Sequence, residues 1–461
     1  SLPARGSCLA FRPMSLPEGF KAMLDAMGES MAGVAAALEG PAAPSAIRLN
    51  ALKGGTAPAN SSPVEWCEGG YYLAERPRFT LDPALHQGLY YVQDASSMAH
   101  AAAVTEAARV SGSESPLRFL DACAAPGGKT IAAVDALPAD ALIVANEADP
   151  RRCSVLIENV VKHGSGRVAV SRDDASSIKA PAGFFDIIAA DVPCSGEGMM
   201  RKEAVAASQW SPALVASCAA LQRSIVDNLW RLLRPGGCFI YSTCTFNTSE
   251  NEEIVDYIVN DLGADVLPVP ALARPEITGA IDRDYAAYRF LPGHVRGEGQ
   301  FIALLRKHGD APAARIKPQK PAKTKTLIDT VQYLEGQWTS QTANDNIIAV
   351  DNRHASMLAE LERTMHVVYK GVELGTVKGR DFIPAQALAM AASLREDAFP
   401  RVEVDRDTAL QYLAKQAVIL PDSSPRGIVL LTHGERPLGF VKNLGNRSNN
   451  LYPAHWRILN L

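Results

Sequence analysis

Two short segments set a cysteine among residues that could use it, Asp191-Val-Pro-Cys194-Ser-Gly-Glu-Gly198 and Tyr241-Ser-Thr-Cys244-Thr-Phe246. A thiolate is a strong nucleophile and a competent leaving group, so it can add to an electron-poor carbon and later be expelled. Cys123 lies in a third segment, Asp121-Ala-Cys-Ala-Ala-Pro-Gly-Gly-Lys-Thr130, where its backbone matters more than its sulfur. Cys8, Cys67, Cys153, Cys218 and Cys238 fit no motif and read as core or surface thiols, the common case. No two cysteines form a CxxC pair, so neither a zinc knuckle nor a dithiol redox motif is indicated, and no metal is expected.

The third segment ends like a phosphate-binding loop, because Gly128-Lys129-Thr130 fits the close of G-x-x-x-x-G-K-[ST]. The first glycine of that pattern falls on Cys123, and Pro126 lacks an N–H for a phosphate cradle. A nucleotide triphosphatase is set aside on that position.

These segments need strands to hold them. Arg118–Asp121, Ala141–Ala145, Arg167–Val170, Phe185–Ala190 and Cys238–Tyr241 read as strands, with helices between them, notably over 212–233. Such alternation predicts a parallel sheet covered on both faces, with ligands at the carboxyl ends of its strands. Glu147 follows the second strand and suits ribose hydroxyls; Asp174 follows the third and could reach an adenine amino group; Asp191 closes the fourth. Any one acid reads as a surface carboxylate or helix cap. A glycine turn with acids at successive strand ends looks like a class I methyltransferase. Beside a methyl donor the cysteines suit cytosine, whose C5 is a poor nucleophile until a thiolate adds to C6. A second group must then remove the C5 proton.

The three motifs, together with Arg48-Leu-Asn50, Tyr91-Val-Gln-Asp-Ala-Ser96 and Leu291-Pro-Gly-His-Val-Arg-Gly-Glu-Gly299, resemble in order the Nop/Sun family of RNA cytosine-5 methyltransferases. The tail, with Val368-Tyr-Lys-Gly-Val-Glu-Leu-Gly375 and Pro437-Leu-Gly-Phe-Val-Lys442, resembles its bacterial RsmF-like (YebU) branch. The resemblance implies Cys244 as nucleophile and Cys194 as the group assisting release of the base. Spacing alone leaves the two roles interchangeable. S-adenosyl-L-methionine is the implied cofactor, wrapped by Cys123, Ala124, Ala125, Pro126, Gly127, Gly128 and Lys129, with Glu147 on its ribose and Asp174 near adenine. Asp191 would stand between cofactor and target, and Lys129 would reach the base or a phosphate. Lys202 is read as a substrate contact or as ordinary surface charge. Phe440 stands where this branch leads one to expect tryptophan.

The 461 residues exceed one ordinary domain. The expected fold class is α/β: a Rossmann-like methyltransferase core at 113–308, with an α+β RNA-binding extension at 1–112 and a β-rich PUA-like RNA-binding domain at 365–461. Residues 309–326, rich in Pro, Ala and Lys, read as a linker, and 327–364 carry no assignment. A net charge of −4 argues mildly against a protein that coats nucleic acid everywhere, though a local basic groove suffices. Arg315 to Lys325 is a candidate for that groove; in the tail Lys370, Lys378, Arg380, Lys442 and Arg447 are others. No apolar run is long enough to cross a membrane and no secretory start is visible, so a cytoplasmic protein with free thiols is expected. The implied partner is RNA, ribosomal RNA favoured and the small subunit its setting, with no membrane and no obligate protein partner. A transfer RNA target and a non-catalytic assembly protein are the alternatives; intact Cys194, Cys244 and cofactor acids speak against the second.

Overall fold

The computed structural model describes residues 15–112, 116–316, 328–343, 345–379 and 381–461. Cys8, residues 113–115, most of the basic 315–325 stretch and Arg380 lie outside the described residues.

Strands at Arg118–Asp121, Leu142–Asn146, Val168–Ser171, Phe185–Asp191 and Leu233–Thr243 run parallel. Their near-continuous apolar runs suit a sheet buried on both faces. Helices Ala95–Ser111, Gly128–Ala136 and Pro150–His163 cover one face, and Pro212–Leu232 and Glu252–Asn260 cover the other. Asp149 and Ser211 cap their helices ahead of prolines at the first helical position, a pairing that fixes where each begins. The order across the sheet is Ala264–Leu267, Gln300–Lys307, Leu233–Thr243, Phe185–Asp191, Arg118–Asp121, Leu142–Asn146, Val168–Ser171 and Val367–Lys370. From Arg118–Asp121 the chain winds outward through two strands, then crosses back to Phe185–Asp191 on the other side. That reversal opens a crevice between Asp121 and Asp191, where doubly wound sheets bind ligands.

The N-terminal residues form a four-stranded antiparallel sheet beside two short helices. Arg48 and Asn50 brace this sheet against the core. The Arg48 guanidinium pairs with Asp135 and donates to Gln93 at 3.2 Å, and Asn50 donates to the carbonyls of Gly88 and His163. The bracing holds strand Tyr90–Val92 over the crevice.

The tail holds two further four-stranded sheets. The segment left unassigned from sequence supplies strands Trp338–Ala343 and Asn346–Asp351 to one of them. It also supplies helix Ala355–Leu361, whose Met357, Leu358 and Leu361 join the core under the central sheet. Val367–Lys370 extends that sheet by pairing antiparallel with Val168–Ser171, so the tail enters the core just past the expected boundary at 365. The first part of the expected linker also lies against the core, where Ala311 and Ala314 donate to the carbonyls of Pro235 and Gly183.

Candidate active site

Strands Phe185–Asp191 and Leu233–Thr243 are parallel neighbours with Asp191 opposite Ser242. Equal register brings the chain out of both strands at the same level. The two loops that follow therefore meet, and the Cys194 and Cys244 sulfurs lie 3.3 Å apart. The hydrogen bond with Cys244, together with burial, pushes the Cys194 thiol well above its usual range, which keeps it protonated.

The Asp191 carboxylate is gripped at both oxygens. Lys129 Nζ lies 2.6 Å from Oδ2, while Ser242 Oγ donates to Oδ1 at 2.8 Å and Gln300 Nε2 at 3.3 Å. Burial opposes charge on both members of the ion pair, and their mutual attraction outweighs it. Lys129 is held above its ordinary range and Asp191 below. Lys129 reaches this place because Gly127, at φ +113°, starts helix Gly128–Ala136 with a left-handed turn. Thr130 on that helix donates to Asp121 at 2.6 Å, and burial pushes the Asp121 carboxyl up to about 6. Burial likewise raises the Cys123 thiol, so its sulfur is unreactive.

A pocket opens between this turn and the N-terminal sheet. Cys123, Ala124, Ala125, Pro126, Gly128, Lys129 and Asp191 form one wall; Tyr91, Gln93, Asp94 and Ser97 form the other. The walls are close at Gly128, where a Cβ would stand 2.8 Å from the Tyr91 ring. Glu147 lies just past the second strand, buried, accepting the Asp149 N–H at 3.0 Å and paired with Arg152. Asp174 is exposed and folds its carboxylate onto Ser176 at 2.8 Å. Glu147, Asp174 and the two sulfurs do not line the pocket itself. Lys202 is half exposed and stands 3.7 Å from Glu298.

Sequence reasoning passed over several residues that build the site. Asn146 ties the ends of three strands by donating to the carbonyls of Ala122 and Asp173 and accepting from Ser171 Oγ. Gln300 sits on the antiparallel strand Gln300–Lys307 and reaches Asp191 across the sheet. Asn146 directly precedes Glu147 at a strand end, a placement that could have drawn attention to it. Gln300 had no such signal, since its partner lies 109 positions away.

Among the described residues no helix is long and apolar enough to cross a membrane, and no cluster of metal-ligating side chains occurs. Residues 113–306 match the family model for 16S rRNA methyltransferase RsmB/F. Residues 16–95 match that for the N-terminal domain of 16S rRNA methyltransferase RsmF, and 399–458 that for the methyltransferase RsmF PUA domain. The chain is 30% identical to ribosomal RNA small subunit methyltransferase F of Serratia proteamaculans, over 85% of this chain and 84% of that protein. It is 31% identical to the protein of the same name from Citrobacter koseri, over 88% and 89%. Among solved structures, NSun6 from Pyrococcus horikoshii with SFG is alike in fold, with a TM-score of 0.52 at 20% identity over 64% of this chain and 100% of that one. A class I Rossmann-like core with an N-terminal domain and a C-terminal PUA domain is thus what this sequence encodes, and the chain belongs to the ribosomal RNA small subunit methyltransferase F family of RNA methyltransferases.

Proposed function

We propose that the protein methylates carbon 5 of a cytosine in small-subunit ribosomal RNA, using S-adenosyl-L-methionine and a covalent bond between Cys244 and C6. The observation that carries this reading is the pair of sulfurs 3.3 Å apart, on the loops that leave two neighbouring strand ends beside the Lys129–Asp191 pair. Addition of the Cys244 thiolate to C6 moves an electron pair toward C5. After C5 has been methylated, loss of its proton returns the pair to the ring and expels the thiolate. Adduct formation takes the Cys244 sulfur away from Cys194, and Cys194 assists the release by receiving the C5 proton after giving up its own proton to solvent. Asp191 can accept from the cytosine amino edge, and Lys129 holds it in place while facing the base or a phosphate.

The residues around the glycine turn fit the cofactor. Glu147 offers a buried carboxylate to the ribose, the Gly127–Gly128 helix start offers N–H groups to the methionine carboxylate, and Asp174 is available to adenine. When bound, S-adenosyl-L-methionine supplies the methyl group as an electrophile. A cytosine stacked in a helix hides C5 and C6, so the target must be unpaired or flipped out. We assign RNA contact to the N-terminal extension and to the PUA-type tail, around the core at 113–308, and place the protein in the cytoplasm with RNA as its partner. In the tail, Lys370 and Lys442 are paired with Glu362 and Asp381, so RNA would have to compete for them.

The test is transfer of labelled methyl groups to naked 16S RNA, 30S subunits and bulk tRNA, followed by nucleoside analysis. 5-Methylcytosine in ribosomal material alone is the expected result. Label confined to tRNA would overturn the target. Cofactor binding without label in any RNA would overturn catalysis in favour of an assembly role.

A further inference from the structure

Two buried carboxylates outside the reaction centre join the cysteine loops in a reciprocal way. Glu197 belongs to the loop of Cys194, yet its Oε2 accepts the N–H groups of Phe246 at 2.6 Å and Asn247 at 3.0 Å, just past Cys244. Its Oε1 accepts from Trp210 Nε1 and Asn247 Nδ2, both at 2.9 Å. Glu250 belongs to the loop of Cys244, yet its Oε2 accepts the N–H of Ser195, the residue after Cys194, at 2.9 Å. Gln222 Nε2 from the long helix reaches the same oxygen at 2.8 Å, and Asn247 Nδ2 reaches Oε1 at 2.8 Å. Both carboxylates are fully buried. Burying them is costly unless every oxygen is occupied by donors, as it is here. Among the donors they occupy are the backbone N–H groups of Ser195, Phe246 and Asn247, just past the two sulfurs, and reacting groups must be held to within about half an ångström.

We infer that Glu197 and Glu250 are positioning residues with separate duties: Glu197 seats Cys244 for attack on the base, and Glu250 seats Cys194 for its release. The inference rests on the roles proposed above for the two cysteines. If Glu250 carries the Cys194 loop, weakening it slows release more than attack, and the covalent protein–RNA complex accumulates. If Glu197 carries the Cys244 loop, weakening it slows attack, and no complex accumulates. A merely structural role would lower both steps together and leave the ratio of trapped complex to methylated product unchanged.

The test measures that ratio on denaturing gels, with 16S RNA and S-adenosyl-L-methionine, for the full-length wild type and the variants C194A, C244A, E197Q, E250Q, E250A and Q222L. Trapping by C194A and none by C244A would uphold the roles of the cysteines; the reverse would overturn those roles and leave the clasp to be read with its duties exchanged. Given the first pattern, E250Q should raise the ratio about tenfold, E250A should raise it further because no acceptor oxygen remains, and E197Q should form little complex. Q222L, which removes a donor from the same carboxylate and a bond to the Pro193 carbonyl, should shift the ratio in the same direction by less. It decides the matter should the Glu250 variants not fold. An unchanged ratio in Q222L and in every folded Glu250 variant would overturn the inference.

Discussion

At the scale of residues, the two sulfurs are near enough to share a substrate atom but sit in unlike surroundings. Cys194 is held as a thiol by its partner and by burial. Replacing Cys244 with alanine should abolish methyl transfer, by at least about a thousandfold, and should prevent any adduct while leaving cofactor binding intact by calorimetry. Replacing Cys194 with alanine should permit attack and then stall as a trapped protein–RNA complex on a denaturing gel. Should Cys194→Ala instead be the variant unable to form the complex, the two roles are exchanged. Asp191, Lys129 and the two cysteines could be picked out in the sequence because each closes or follows an apolar strand. The supporting residues could not. Glu197, Glu250, Gln222 and Gln300 each act through at least one partner 28 to 109 positions away, and no local pattern encodes such a pairing.

Elements bring these residues together through register and close approach. Gly198 is one example: its N–H donates to the Cys244 carbonyl at 2.8 Å, and a Cβ there would stand 2.7 Å from that oxygen and 3.0 Å from the Gly299 backbone. Backbone on two sides cannot give way as a flexible side chain can. Gly198→Ala should therefore cost about 1–3 kcal/mol of stability and, in the fraction that folds, move Cys244 out of line. The expected outcome is a loss in kcat with little change in cofactor affinity, read by single-turnover methyl transfer beside a cofactor titration. Equal losses in both would mean that the strain spreads to the glycine turn. The strands that carry the site were legible as apolar runs ending in acids, since a buried parallel strand has few alternatives in composition. Val367–Lys370 was not, because a four-residue edge strand takes its place from a partner almost two hundred positions upstream.

Across the whole molecule, the N-terminal sheet, the core and the tail meet at one buried junction. Gln87 Nε2 donates to the carbonyls of His433 at 2.8 Å and Arg436 at 2.9 Å, so the first and last parts of the chain touch directly. Lys53 lies beneath, donating to the carbonyls of Gln87 at 2.8 Å and Lys162 at 2.6 Å. Burial, with the nearby Arg436 charge, lowers the Lys53 ammonium to about 7. An unfolded chain keeps that proton up to about 10.4. Between the two values the unfolded state binds a proton that the folded state has released, so stability from this site rises with pH across that window. Below 7 both states are charged, and the folded protein bears the cost of holding an ammonium in a partly buried place. Relative to Lys53→Met, the wild type should gain stability from pH 7 to pH 10, measured as denaturant midpoints for both proteins at each pH. A constant gap would mean that Lys53 stays charged in the fold, held by its two carbonyls, and that the junction is indifferent to pH. A gap that opens as predicted would mean that a neutral amine joins the N-terminal part to the core helix beneath the tail, and hence that the junction is firmest in mildly alkaline solution.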